Sequence, residues 1–333
     1  MAVARSRQPR FSRGIAPGSG ASLAMLAVTL ALLGAPRSGK GAVPDCDRAC
    51  LTAIAHRYWA ALLAHDPARL PQAASLRFTE NNVRLPLGRG LWQTVSAVGR
   101  DDIVFAEVSR GEVATTAQVS EGSRSELLIA RLKVLGGRIS ELETLVARRE
   151  TSPYLRPEGW NEAQPLLMQD LPPASRGQRG ALIGVAEAYF DRLPDASRPV
   201  PPFDPGCNRV ENGVRTTNNP DPFPGVHPPP LNPAVSRLGC AAQFAAAGLS
   251  FVTRVRARRY PLVDEDKGLV LAWALFDHDG TAPPSPTGVK LSSALPSPYS
   301  YAVAELFKIA NGRIVQIQAL ICQLPYGMES AWP

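Results

Sequence analysis

Histidine and cysteine are scarce: four His and five Cys in 333 residues. A structural zinc site needs Cys and His clustered at short spacings, and so few histidines argue against one. There is no Gly-rich phosphate loop, no Gly-x-Ser-x-Gly elbow and no His-Glu-x-x-His helix. Nucleotide enzymes, α/β hydrolases and zincins are therefore not expected, and no cofactor or metal is implied. Long apolar runs are missing too. Ala21 to Ala35 covers 15 residues, and a spanning helix needs about 20. Acid is absent from residues 1–43, which hold Arg5, Arg7, Arg10, Arg13, Arg37 and Lys40. Without those six the net charge falls from +7 to +1, so the basic balance does not point to nucleic acid.

The composition is that of a globular protein, with 45% hydrophobic and 20% charged residues. The length favours two domains. Pro 32 and Gly 27 predict many turns and at least one long loop. A basic start followed by a short apolar stretch reads as a secretory signal. Residues 1–43 are set aside as that signal, with cleavage expected before Cys46 and near Ala35 or Ala42. The mature chain is expected to be secreted or periplasmic, with no membrane contact once the signal is gone. Export favours disulfides. Cys207 and Cys240 flank the most Pro-rich stretch and are expected to pair. Cys46 and Cys50 lie one helical turn apart, where a local bridge would be tight. Cys322 is left over as a buried thiol.

Asp45 to Leu63 reads as a helix, with Leu51, Ile54, Ala55, Tyr58 and Leu62 at helical spacing. Short strands follow over 76–85, 103–108, 112–119, 126–134 and 138–147. Thr151 to Pro173 reads as a linker. A second helix is expected over 181–193. Twelve prolines between Pro194 and Pro233 mark a loop, with a short strand at 209–216. Residues 234–247 read as helical. Two hairpins follow, 251–262 with 268–277 and 301–309 with 313–322, the second around Asn311-Gly312. The two halves also match in order. Leu132-Lys133-Val134-Leu135-Gly136-Gly137-Arg138-Ile139 parallels Phe307-Lys308-Ile309-Ala310-Asn311-Gly312-Arg313-Ile314. Thr79-Glu80-Asn81-Asn82-Val83 parallels Val210-Glu211-Asn212-Gly213-Val214. Two matched segments in one order point to a duplicated domain.

A helix followed by a curved antiparallel sheet resembles the nuclear transport factor 2-like cone fold, shared by SnoaL-like polyketide cyclases and ketosteroid isomerases. The specific sequence resembles an uncharacterised family of secreted proteins built from two such cones. The segments that carry this resemblance include Cys46-Asp47-Arg48, Phe78-Thr79-Glu80-Asn81 and Gly88-Arg89-Gly90-Leu91-Trp92. Others are Cys207-Asn208-Arg209-Val210-Glu211-Asn212-Gly213, Phe276-Asp277-His278 and the closing Pro325-Tyr326-Gly327-Met328. The resemblance implies an α+β fold of two tandem cones packed as an intramolecular pseudo-dimer: a first cone over 44–150, a linker over 151–175, and a second cone over 176–333 carrying the Pro-rich insertion. The tyrosine and two acids of the ketosteroid isomerases find no position-by-position match, so no catalytic residue carries over.

A cone encloses a pocket between helix and sheet, so candidates are the polar residues that point inward. Glu211 is the first, as a general base beside Arg209 and Asn212. The competing reading is an ion pair of Glu211 with Arg209 or Arg254 that braces the loop. His278, flanked by Asp277 and Asp279, and His227, in the Pro-rich loop, are the candidate acid–base partners. Arg254 and Arg258 alternate along one strand and could hold an anion. Glu305 shares an apolar row with Val303 and Phe307, needs a buried partner, and Arg258 is the expected one. Tyr326 could donate a hydrogen bond. The expected function is cofactor-free acid–base chemistry (lyase, isomerase or dehydratase) on a small hydrophobic or aromatic substrate. The alternative is a non-catalytic binder of a small apolar ligand, and a weaker third reading is an assembly module. The expected partner is that small molecule, and not nucleic acid.

Overall fold

The structure is a computed structural model that describes residues 46–99, 103–227, 229–246, 249, 251–281 and 297–333. The signal segment and its cleavage sites lie outside the described residues. The fold is α+β, with two mixed sheets and few helices.

Helix α1 (Arg48–Leu63) starts at Asp47, whose side chain accepts the Cys50 amide at 2.8 Å. This satisfies one of the free N–H groups of the first turn. Leu51, Ala55, Tyr58, Trp59 and Leu62 are buried along one face. The first sheet comprises β1 (Gln72–Glu80), β2 (Val83–Arg84), β3 (Val95–Val98), β4 (Ile103–Glu107), β5 (Glu112–Glu121), β6 (Arg124–Leu135) and β7 (Arg138–Ala147), with a one-turn helix α2 (Leu91–Thr94) before β3. Its order is β2-β1-β7-β6-β5-β3, and β4 also pairs with β5. After the short helix α3 (Gln164–Met168) and helix α4 (Arg179–Arg192) comes the second sheet, with β8 (Phe203–Glu211) and β9 (Val214–Arg215). Helices α5 (Pro233–Ser236) and α6 (Cys240–Ala245) follow, then β10 (Arg254–Asp264), β11 (Leu269–His278), β12 (Tyr299–Ala310) and β13 (Arg313–Leu324). Its order is β10-β11-β12-β13-β8-β9.

Read from the other edge, that order matches the first sheet, with β3 and β4 together standing where β10 stands. Val83 and Val214 occupy the corresponding short strands, pairing with Glu80 and Glu211. Four turns take left-handed conformations at both central residues: Asn81-Asn82, Gly136-Gly137, Asn212-Gly213 and Asn311-Gly312. This is the geometry that twisted two-residue hairpins require.

The expected wholly antiparallel sheet is corrected. Strand β1 runs parallel to β7, and β8 parallel to β13. The first strand of each half returns beside the last, after a meander long enough to let it lie in the same direction. The expected helix over 234–247 is two short helices, α5 and α6, because Gly239 stands between them in extended backbone.

Three apolar clusters hold the fold. One lies under α1, one under α4, and the third joins the outer faces of both sheets through residues such as Phe105, Ile129, Leu271, Trp273 and Leu306. Charged groups cross that third contact reciprocally. Arg48, at the start of α1, bonds Asp264 at 2.6 Å, and Arg179, at the start of α4, bonds Glu107 at 2.9 Å. Glu107 accepts the Val263 amide at 2.7 Å, and Asp264 accepts the Ala106 amide at 3.3 Å. Each strand-end acid thus serves the opposite half, the pattern of a two-fold interface. The C-terminal segment closes the contact. Trp332 donates to Thr79 Oγ1 at 2.9 Å, under the guanidiniums of Arg77, Arg131 and Arg259.

Both cysteine pairs are bridged. Cys207–Cys240 has a Cα separation of 5.8 Å and Cys46–Cys50 one of 5.3 Å, while Cys322 is a buried thiol.

Candidate functional site

A cavity of about 110 Å³ lies between α4 and the sheet of the second half. Its walls are apolar, from Leu193, Val252, Phe276, Val303, Ala319 and Ile321. Pro230, Leu231, Leu249 and Phe251 form the more exposed rim. Into this apolar space open Arg209, Glu211 and Glu305, with Tyr154, Tyr189, Tyr299 and Tyr301.

Strand register explains why the two acids meet. Glu305 pairs across to Ala319, and Ala319 pairs to Glu211. Residues directly opposite share a face, so both carboxylates stand on one transverse row, two strands or about 10 Å apart at the backbone. The small Ala319 between them leaves the space open. Arg209 is two residues before Glu211 on β8 and so faces the same way.

Arg209 and Glu211 form a direct, buried ion pair. Burial pulls the Arg209 guanidinium down, but the facing Glu211 carboxylate, together with the other acidic and phenolic groups around it, more than offsets this and keeps it charged. Gln243 on α6 accepts from Arg209 at 2.8 Å and is itself held by its donations to the Thr216 and Val235 carbonyls. The Cys207–Cys240 bridge ties α6 to β8 just beside this contact. The other Glu211 oxygen accepts the Tyr154 hydroxyl. Burial and the Glu211 charge push the Tyr154 phenol well above its ordinary range, so it stays a neutral donor.

Glu305 is different. Burial pushes its carboxyl up to about 8, and the nearby Glu211 charge adds to this, while the Arg209 charge and the Tyr189 hydroxyl pull the other way. At neutral pH it is a carboxylic acid in an apolar wall. Its Oε2 has no hydrogen-bond partner.

Several expected site residues stand elsewhere. Asn212 is fully buried and clamps backbone: it donates to the Tyr154 and Ile321 carbonyls and accepts the Ile321 amide. Asn81 makes the same pair of bonds to Val146 in the first half. Arg254 is exposed at the strand start. Arg258 does not reach Glu305. It bonds Glu187 at 2.9 Å and Asp191 at 2.5 Å on α4, whereas Arg256 bonds Asp277. The alternation of these arginines is broken by a bulge between Arg256 and Arg259, with Ala257 in the left-handed region at φ +51°. His227 is exposed and outside the cavity lining. His278 is buried, its Nδ1 2.8 Å from the Phe251 carbonyl and its ring 4.9 Å from that of Tyr299. It stands behind the cavity wall rather than in it. Of the two flanking acids, Asp277 bonds Arg256 and Ser300 and Asp279 bonds Thr281. Tyr326 is 53% exposed, and Trp332 is the terminal aromatic that docks.

Tyr154 escaped the sequence reading because it sits in the linker. Its approach depends on the Asn212-Gly213 turn: the Arg156 amide donates to the Asn212 carbonyl at 2.9 Å, and a Cβ on Gly213 would stand 1.9 Å from the Arg156 carbonyl. Among the described residues, no three metal-ligating side chains cluster.

A model of a domain of unknown function, DUF8021, matches residues 175–321, less than half of the chain. No curated protein matches. Among solved structures, the chain is similar to a ketosteroid isomerase candidate from Kribbella flavida, at 15% identity and TM-score 0.26, covering 37% of this chain and 91% of that one. It is also similar to AclR, a hydroxylase candidate from Streptomyces galilaeus, at 14% identity and TM-score 0.27, covering 38% and 91%. AusH from Aspergillus nidulans matches at 15% identity and TM-score 0.26, covering 46% and 90%. Each match spans a domain-sized part, and at these TM-scores the likenesses carry no argument about chemistry.

Proposed function

We propose that the chain is an exported protein of two tandem nuclear transport factor 2-like cones, and that the second cone runs cofactor-free acid–base chemistry on a small hydrophobic or aromatic molecule. The single observation behind this is a pair of carboxylates in one apolar cavity in different states. Glu211 is ion-paired with Arg209, and Glu305 is held protonated by burial. Environments that separate two acids in this way assign a base and an acid. In an isomerisation, Glu211 takes a proton from carbon as the Glu305 proton goes to the oxygen on which charge develops; Glu211 then returns its proton to a different carbon of the enol while Glu305 recovers its own, which restores both groups. The neutral Tyr154 hydroxyl and Arg209 keep Glu211 oriented. The space of about 110 Å³ is smaller than the cavity of about 150 Å³ that holds benzene in an engineered protein, so a single ring is the upper limit and has to extend toward the more exposed rim. Export is supported by the basic start, the short apolar run and the two disulfides.

One observation favours the non-catalytic binder. Both Glu211 oxygens already have partners, Arg209 and Tyr154, which weakens it as a base. Proton exchange separates the two readings. The purified mature protein is incubated with aryl ketones in heavy water, and deuterium at the α-carbon is followed by NMR. The enzyme reading expects exchange that falls at least 100-fold in Glu211→Gln. Tight binding without exchange leaves the binder.

A further inference from the structure

Resting on that reading of the cavity, we infer that its ligand is an uncharged single-ring molecule bearing an acceptor oxygen, and that carboxylates of the same shape are excluded. Unpartnered buried polar atoms are rare and ask for an explanation. Three of them belong to residues that line this cavity: Tyr299 Oη and, on more deeply buried side chains, Glu305 Oε2 and Arg209 Nε. Glu305 is 2% exposed and Arg209 3%. A carbonyl oxygen has two lone pairs and no proton, so it can accept from either atom without bringing charge.

The charge count points the same way. Arg209 and Glu211 neutralise one another directly. Glu305, kept protonated by its burial, adds none. An anion entering this space would be an uncompensated charge in an apolar wall, which is strongly unfavourable. A hydrocarbon would leave the Glu305 proton without a partner, and such unmet groups are what reject analogues lacking an oxygen. The rim residues Leu231, Leu249 and Phe251 are apolar and give no counter-charge at the entrance.

The test is calorimetric titration of the intact protein with three probes: acetophenone, ethylbenzene and benzoate, at pH 6 and pH 9. Acetophenone should bind at pH 6 at least tenfold more tightly than ethylbenzene, and benzoate should not bind. At pH 9 the acetophenone affinity should fall about tenfold, as Glu305 loses its proton. Glu305→Gln keeps an N–H donor of the same shape, so it should retain the acetophenone preference and lose the pH dependence. Binding of benzoate equal to or tighter than that of acetophenone overturns the inference and leaves the cavity as a binding site. So does equal binding of acetophenone and ethylbenzene. If no probe binds while thermal unfolding shows a folded protein, both this inference and the proposed site fall.

Discussion

The two halves share a framework and differ in what fills it. By strand order and register, Glu80 corresponds to Glu211, Phe78 to Arg209, Thr144 to Ala319 and Ala130 to Glu305. Along the helices, Leu51, Ala55, Tyr58 and Trp59 correspond to Leu182, Ala186, Tyr189 and Phe190. In the first half Phe78, Tyr58, Ala130 and Trp92 belong to one buried cluster. The Trp92 ring centre lies 5.9 Å from that of Tyr58. Glu80 there is structural: it accepts the Leu91 amide at 2.8 Å, at the start of α2, and bonds Arg148 at 3.0 Å. In the second half the same positions hold an arginine, an acid and a second acid around an open space. One copy thus spends its interior on packing, and the other tolerates buried charge and an unfilled volume. Burying charge costs stability unless it is paired; at these matching positions the first half keeps one acid, held by Arg148, whereas the second half keeps two acids and an arginine, and on that ground we propose the second half as the working one.

The largest effect should follow from Arg209→Met, which strands Glu211 in the interior. A loss of about 3–5 kcal/mol is expected. The double variant Arg209→Met/Glu211→Gln should recover most of it. Phe78→Ala, at the matching position, should cost about as much through its cavity, but Glu80→Gln should not rescue it. Denaturant unfolding reads all four, and a rescue in both halves would break the comparison.

Removing the Cys207–Cys240 bridge should cost about 3–4 kcal/mol, because it closes a long loop. Removing Cys46–Cys50, which spans four residues, should cost about 2 kcal/mol. Equal losses on unfolding would contradict the idea that the second half depends on its bridge to hold α6, and with it Gln243, against Arg209.

Glu305 should tilt the pH profile of stability. Its folded-state value is raised above the ordinary carboxyl range to about 8. Between the ordinary value and 8 the native state holds a proton that the unfolded chain has lost. Its contribution is therefore fully present at low pH and declines as pH rises through that window, by about 5 kcal/mol. Glu305→Gln should flatten the slope when unfolding is measured at pH 5 and pH 9. An unchanged slope would mean that the acid is not held neutral. Tyr154→Phe should cost about 1.5–3 kcal/mol, the range for a hydrogen bond to a charged group, with the first half unaffected in hydrogen exchange.

Much of this was legible in the sequence because it is local. Helical spacing located α1 and α4, and Asn311-Gly312 and Gly136-Gly137 located the hairpins that join the last strands. The Glu-Asn repeat fell on matching strands because Asn81 and Asn212 each adopt a left-handed turn and clamp the same backbone position. What could not be read depends on distant pairing. The parallel contacts of β1 with β7 and β8 with β13 join residues far apart in the chain. One bulge at Ala257 reversed the side of Arg258, as a single-residue slip must. Glu305 was expected to be buried, but its neighbours Arg209 and Tyr189 come from other elements. His278 was a candidate for its flanking Asp277 and Asp279 and His227 for its place in the Pro-rich loop; neither lines the cavity, which is a property of the fold.

The claim that the second half holds a neutral acid in an open cavity is tested most directly by carbon-13 NMR of glutamate-labelled protein. The Glu305 carboxyl signal is assigned by its loss in Glu305→Gln and followed from pH 4 to pH 10. A midpoint at about 8 is the predicted result. A midpoint in the ordinary carboxylate range, near 4.3, would contradict the account.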